Sequence, residues 1–358
     1  MLRIIPDVRA KFNSIRNFLG IKDTTENPNF SSVKNTSTST TWYLNDLSKR
    51  ELDNLQVSEK LKTVNNIQEL VSTEVLKRLY YVANSPQYDK NNYLRVPNSR
   101  YGSGIPYCKK TLIESNGVLL PANNVSVNNS PYMTIASQYP LNDKESLKHY
   151  FNMLFDNDIK TVYILASNND IEDDFSKPER EYDKSTPQQK GFKYFREDLD
   201  LGNIKSRHIE KWALNKSETC LDCKAYIKLV TKENNDEKKK INFVHIYNWP
   251  DHTAIDALKL RNTIDTVGYN LNMKPTKENI AVHCLAGLGR TGEFIALMEM
   301  MKMIEEGNTK TKSLESILVH LRENRSWQLL KVNAQVDELI KFAINHNIPL
   351  VNDNTKIK

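Results

Sequence analysis

Apolar positions recur along this chain at two spacings, and the switch between them divides it into segments. Val8, Phe12, Ile15 and Leu19 stand three or four residues apart. Arg9, Lys11 and Arg16 lie off that stripe and Gly20 can end it, so a short amphipathic helix is predicted. Residues 23–41, DTTENPNFSSVKNTSTSTT, are rich in Ser, Thr and Asn without period and read as a linker. Helical spacing resumes near Leu44 and runs, with interruptions, to about Ala83. It passes through Leu61, Val64, Ile67 and Val71, then Val75, Leu79 and Val82.

From Tyr93 the segments alternate in type. VLLPANNVSV, YMTIASQYPL and KTVYILAS read as strands, and DKESLKHYFNMLFDND as a helix burying Leu147, Tyr150, Phe151 and Leu154. CKAYIKLVTKENNDEKKKINFVHIYNW predicts a hairpin turning at Asn234 to Glu237. A helix through Leu260, Ile264, Val267 and Leu271 follows, then the strand NIAVHC and a long helix from Arg290 to about Glu306, closed by Gly307. SLESILVHLRENR and NAQVDELIKFAI predict two more helices. Mixed strands and helices without internal repeat define one α/β domain, residues 44–358, behind an amino-terminal segment, residues 1–43.

Composition narrows the class of protein. No run approaches a membrane span, and 39% hydrophobic residues suffice for a core, so a soluble protein is expected. The net charge of +6 is too small to argue for nucleic acid and suits acidic or phosphorylated partners equally well. Four cysteines, Cys108, Cys220, Cys223 and Cys284, argue against a disulfide scaffold and for a reducing compartment. CLDC has the spacing of a redox or zinc motif, but it enters a strand and no second ligand pair accompanies it.

The most informative stretch is AVHCLAGLGRTGEF, residues 281–294. It places a loop, Cys284 to Gly289, between a strand and a helix. Backbone N–H groups and the positive end of the helix dipole make such a loop an anion site. Gly287 and Gly289 let the chain turn inward without a Cβ clash, and Leu285, Ala286 and Leu288 complete an uncharged wall. Arg290 offers a planar fork for two oxygens of a phosphate. Cys284 in that field loses its proton readily. Thr291 can donate its hydroxyl to the sulfur, and His283 can order the loop.

VHCLAGLGRTG resembles the signature of the cysteine-dependent protein tyrosine phosphatases. The resemblance implies a central mixed twisted sheet flanked by helices on both sides, and catalysis with neither metal nor organic cofactor. Other stretches resemble further family elements. YNWPDHTA is similar to the mobile acid loop, with Asp251 as the acid, Trp249 as a hinge and Pro250 stiffening the turn. VPNSRYGSGIPYC is similar to the phosphotyrosine loop. There Arg100 and Tyr101 fall on its Arg-Tyr pair, and Tyr101 would stack on the substrate ring and set the pocket depth. LRENRSWQLLKVNAQVDELIKF resembles the glutamine loop. Gln335 falls on its second glutamine and Lys331 on the first, which leaves Gln335 with both tasks or a slow second step.

Residues from about Asn98 to Asn352 look most like the bacterial type III secreted effector phosphatases of the YopH type. On that match Asp170 falls where a glutamate faces the phosphate-binding arginine. The resemblance implies phosphotyrosine proteins as substrates, delivery into host-cell cytoplasm, a secretion chaperone at the amino-terminal segment, and a monomer. Two rival readings stay open: a dual-specificity or phosphoinositide phosphatase, and an inactive phosphotyrosine-binding module.

Overall fold

The computed structural model describes residues 67, 70–84, 89–127, 130–173, 192–215, 217–233 and 237–352. The helix and linker expected for residues 1–43 lie outside them, as do Leu61, Val64 and the hairpin tip at residues 234–236.

Helix α1 (Thr73–Asn84) realises the last part of the expected helical stretch. Its Leu76, Leu79 and Ala83 are buried, while Arg78 on the other side reaches Glu315 at 2.5 Å. A short antiparallel pair follows, β1 (Tyr93–Leu94) with β2 (Tyr107–Cys108). Next come β3 (Leu112–Ser115), β4 (Val118–Asn124) and β5 (Thr134–Ser137). Helix α2 (Lys144–Asp156) starts where the Asp143 carboxylate accepts from Ser146 N at 2.8 Å, supplying one of the acceptors a helix start lacks. Then come β6 (Thr161–Ile164), a short helix α3 (Asn168–Asp173), and β7 (Leu199–Asp200), β8 (Ile204–Leu214), β9 (Cys223–Lys232) and β10 (Glu237–Ile246). Helix α4 (Ala257–Leu271), strand β11 (Ile280–His283) and helices α5 (Gly289–Glu305), α6 (Leu314–Asn324) and α7 (Asn333–Asn345) complete the chain.

Among the described residues nine strands form one sheet in the order β3-β4-β5-β11-β6-β10-β9-β8-β7. The four inner strands β5, β11, β6 and β10 run parallel, and the outer ones are antiparallel. Alternation along each inner strand feeds two cores. Val162, Ala281 and Phe243 face one side, with α2 and the ring of Phe151. Tyr163, Val282 and Val244 face the other, with α1, α4, α5, α6 and α7. Such strands read as continuous apolar runs because both faces are covered. Helix α5 is buried from Arg290 through Met301, so it lies inside one layer rather than on the surface. Each fully buried side chain along it, Phe294 or Leu297, contributes about 1.5–3 kcal/mol.

The expected strands and helices from Val118 onward all form, and the mixed two-sided architecture is the one the resemblance implied. Strands β7 and β8 were not anticipated. The pairing of β8 with β9 slips between His208 and Glu210, so Ile209 is exposed and the two-residue period breaks in the middle of a charged strand.

Two histidines on the inner strands are fully buried. Burial pushes His283 down to about 4 and His245 to about 3, so both stand neutral at pH 7. An unfolded chain protonates its histidines near about 6.5. Between those values the unfolded state holds more protons, and stability rises with pH. Unfolding free energies from urea titrations should fall between pH 7 and pH 5 by about 2 kcal/mol for each of these histidines, with midpoints falling in step. Midpoints that stay flat over that range would contradict neutral burial.

Candidate active site

The four parallel strands end at one edge, and each delivers a piece of the site there. Pairing sets Ser137 of β5 and Ile164 of β6 opposite His283 of β11, and Ile164 opposite His245 of β10. Chain leaving these ends carries Gln138, Asp170, Trp249 with Asp251, and Cys284. This is where parallel α/β sheets place ligands, outside the carboxyl ends of the strands.

The turn from β11 into α5 is built on close backbone approach. Gly287 has φ of +68°, and a Cβ there would meet Ser137 O at 2.0 Å. Its N–H donates to Cys284 Sγ at 3.3 Å, so one loop amide already points at the sulfur. Cys284 is 3% exposed and lies at the floor of the loop, with Leu285 buried beside it and Ala286 and Leu288 half-buried. The Thr291 hydroxyl accepts from Cys284 N at 2.9 Å, so this bond is to the cysteine's backbone where a bond to the sulfur was expected. His283 holds the loop as expected: Nδ1 meets Cys284 O at 3.1 Å and Nε2 meets the Tyr194 hydroxyl at 2.7 Å.

Arg290 is 1% exposed and is shared among three strand ends. Nη1 donates to Trp249 O at 2.7 Å and to the Asp170 carboxylate. Asp170 reaches despite its short side chain because Ser167 N donates to the same carboxylate at 2.9 Å, while Ser167 Oγ accepts from Asp170 N. Nη2 lies 3.1 Å from Asp251 Oδ1 but outside hydrogen-bond alignment. Nε and Nη2 are therefore buried without hydrogen-bond partners among the described residues, and together they form one complete edge of the fork. Burial works against the charge of Arg290, yet Cys284, Asp251 and Asp170 around it raise its pKa above the ordinary value.

The acid loop lies over this cradle. Trp249 is fully buried and its Nε1 donates to Thr253 O at 3.1 Å, closing the turn on itself. Asp251 is half-exposed, with His252 Nε2 3.4 Å from its second oxygen. Gln335 on α7 is 1% exposed and donates to Thr253 O at 3.0 Å. Its Oε1 has no partner among the described residues, and a Cβ at Gly289 would come within 3.2 Å of it.

Tyr101 is half-buried and packs on a small cluster of Val96, Ile105 and Tyr107 that also takes Ala286 and Leu288. The Arg100 side chain turns away to the carbonyls of Tyr139 and Pro140 and lies over the Tyr139 ring. Tyr139 N in turn donates to Leu285 O at 3.0 Å, so Arg100 acts one step behind the loop. Lys331 is exposed. Sequence reasoning missed two buried residues. Arg325, at the end of α6, donates to Gly287 O and Asn123 Oδ1, and Ser99 accepts from Tyr101 N and bonds Tyr107 and Gln138. The NRS and PNSR contexts carry no pattern that marks either residue for burial.

These features bring a cysteine, an inward loop amide, a buried guanidinium and the Asp251 carboxylate together at one sheet edge. A family model for protein-tyrosine phosphatase matches residues 98–341, and the chain belongs to that family. It is 27% identical over 265 residues to tyrosine-protein phosphatase YopH of Yersinia enterocolitica, covering 69% of this chain and 50% of that one. It is 23% identical over 251 residues to the secreted effector protein SptP of Salmonella paratyphi A, covering 66% of this chain and 40% of that one. To the mouse receptor-type tyrosine-protein phosphatase eta it is 24% identical over 282 residues, 75% of this chain and 21% of the relative. The chain thus spans half or less of the length of these relatives. The solved structure of PTPN18 in complex with HER2 phosphopeptides superposes with a TM-score of 0.61 at 16% identity, covering 82% of this chain and 99% of that one, which supports the fold.

Gly287 and Gly307 both have positive φ, +68° and +69°, but nothing lies within 4 Å of a Cβ at Gly307. Gly307→Ala should cost about 1 kcal/mol, the conformational part alone. Gly287→Ala should cost about 3 kcal/mol or more, because the loop must move off Ser137. Equal losses in urea titrations would show that the close approach does not matter.

Proposed function

We propose that this protein hydrolyses phosphotyrosine on proteins in two steps through a cysteinyl phosphate. In the first, Cys284 Sγ forms a bond to phosphorus as the bond to the tyrosyl oxygen breaks. The leaving oxygen takes its electron pair and a proton from Asp251. Arg290 and the amides of Leu285, Ala286, Gly287, Leu288 and Gly289 hold the equatorial oxygens. In the second, a water held by Gln335 gives its proton to Asp251 and displaces the thiolate. Thr291 and His283 fix the loop and Asp170 fixes the fork. Trp249 is the hinge, and Tyr101, with Arg100 behind it, sets a pocket depth that suits tyrosine.

The observation that carries this reading is the buried Nε–Nη2 edge of Arg290, left without hydrogen bonds next to a cysteine whose sulfur accepts from a loop amide. A guanidinium edge buried at that cost fits two oxygens of a phosphate. The lone Gln335 Oε1 supports a water-holding role by the same logic and lets one glutamine serve although Lys331 stands at the other family position. The likeness to the secreted effector SptP supports a secreted effector, which we read as a monomer acting in host cytoplasm. In that reading residues 1–43 serve delivery, with a chaperone as partner, and residues 44–358 serve catalysis.

Cys284→Ser should abolish phosphate release from a phosphotyrosyl peptide while peptide binding persists. Asp251→Ala should lower turnover by about 10²–10⁴-fold. Wild-type protein that prefers phosphoseryl peptides or inositol phosphates would overturn the substrate class, and binding without turnover would make it a recognition module.

A further inference from the structure

One turn of α5 grips the acid loop at both ends. Arg290 donates to Trp249 O at the start of the loop. Three residues on, and so on the same face of the helix, Glu293 Oε1 accepts from Ile255 N at 3.2 Å at the far end. Asp251 lies between the two grips, and Gln335 and Trp249 hold Thr253 O between them as well. Arg290 and Gln335 have tasks at the phosphate; the hydrogen bond of Glu293 goes to the loop.

Glu293 is unusual for its surroundings. It is fully buried, and Oε2 has no partner among the described residues. Burial holds its carboxyl well above the usual carboxylate range, against the pull of the Ile255 bond and with the help of the Glu338 charge. Burial thus disfavours its charged form, and the oxygen that has a partner, Oε1, accepts from the loop. Packing alone gives no reason for a carboxyl here, since an apolar side chain would avoid its desolvation. The reason on view is the Ile255 amide, which would otherwise lose its acceptor when the loop lies down.

We propose that Glu293 is a positioning residue that latches the Ile255 end of the acid loop to α5 and so fixes Asp251 over the phosphate-binding loop. The proposal rests on the phosphatase reading above. It assigns Glu293 no contact with substrate. Its effect passes through the fraction of time the acid is in place, so it falls on reactions that need the acid.

Glu293→Met removes the strong acceptor at nearly unchanged size, and Glu293→Gln keeps a neutral carbonyl in its place. With phenyl phosphate, whose leaving group has a pKa of about 10, kcat/KM should fall about five- to tenfold in Glu293→Met. With dinitrophenyl phosphate, whose leaving group needs no proton, kcat/KM, which reports only the first step, should change by less than about twofold. Glu293→Gln should stay within about twofold of wild type on both. Amide hydrogen exchange across residues 253–256 should rise about five- to tenfold in Glu293→Met while that of α6 is unchanged. An equal loss on every leaving group, unaltered exchange, or a Glu293→Gln as impaired as Glu293→Met would overturn the latch. Should Glu293→Met fail to fold, Ile255→Pro deletes the donor instead. The same leaving-group-selective loss is then expected, and its absence overturns the proposal. If wild-type protein hydrolyses no aryl phosphate, the phosphatase reading falls and the exchange measurement alone decides the latch.

Discussion

The structure turns on how one buried guanidinium is shared. Arg290 has a single plane of donors, and every one of them must be answered or it costs stability where water is excluded. One nitrogen is spent on the Trp249 carbonyl and the Asp170 carboxylate. That leaves the opposite edge fixed in direction and without hydrogen bonds, with the Asp251 carboxylate 3.1 Å from Nη2. Two carboxylates and the cysteine around it offset the loss of hydration, so the charge is retained inside the protein. Removing any one partner would free the plane to rotate, and the loop would lose its phosphate geometry before it lost its fold.

The sheet makes that sharing possible. Asp170, the Trp249–Asp251 turn and Cys284 are far apart in the chain, but each follows a parallel strand whose register is pinned by its neighbour. The loop can descend into the strand ends only because Gly287 has no Cβ to meet Ser137. Beneath it the buried Arg325 takes the Gly287 carbonyl and stacks over Tyr107 at 4.7 Å, so the loop is supported from below as well as from the helix behind. Burial lowers the pKa of Arg325 to about 10, which still leaves a cation behind the loop at neutral pH.

The acid loop is held differently. Apart from the buried Trp249, its anchors are hydrogen bonds between its backbone and side chains on α5 and α7, and Asp251 itself remains half-exposed. Beyond the buried Trp249, a segment attached this way can move with little loss of apolar packing. Rigid floor and releasable cover thus come from the same two helices, one through packing and the other through a few polar contacts.

The strand–loop–helix motif was legible in the chain because it is local: a cysteine, two glycines, an arginine and a threonine stand side by side in it, and the inner strands and helices announce themselves by period. Strand β8 was not legible, since its slipped pairing breaks the alternation that would have marked it. Nor could the chain tell that Asp170 reaches Arg290, that Thr291 would bind the backbone of Cys284 in place of its sulfur, or that Arg325 and Glu293 are buried. Those facts depend on which strand ends lie side by side and how closely two backbones approach. Distances of that kind arise only when the parallel strands are in register, so they belong to the tertiary structure and to no stretch of sequence.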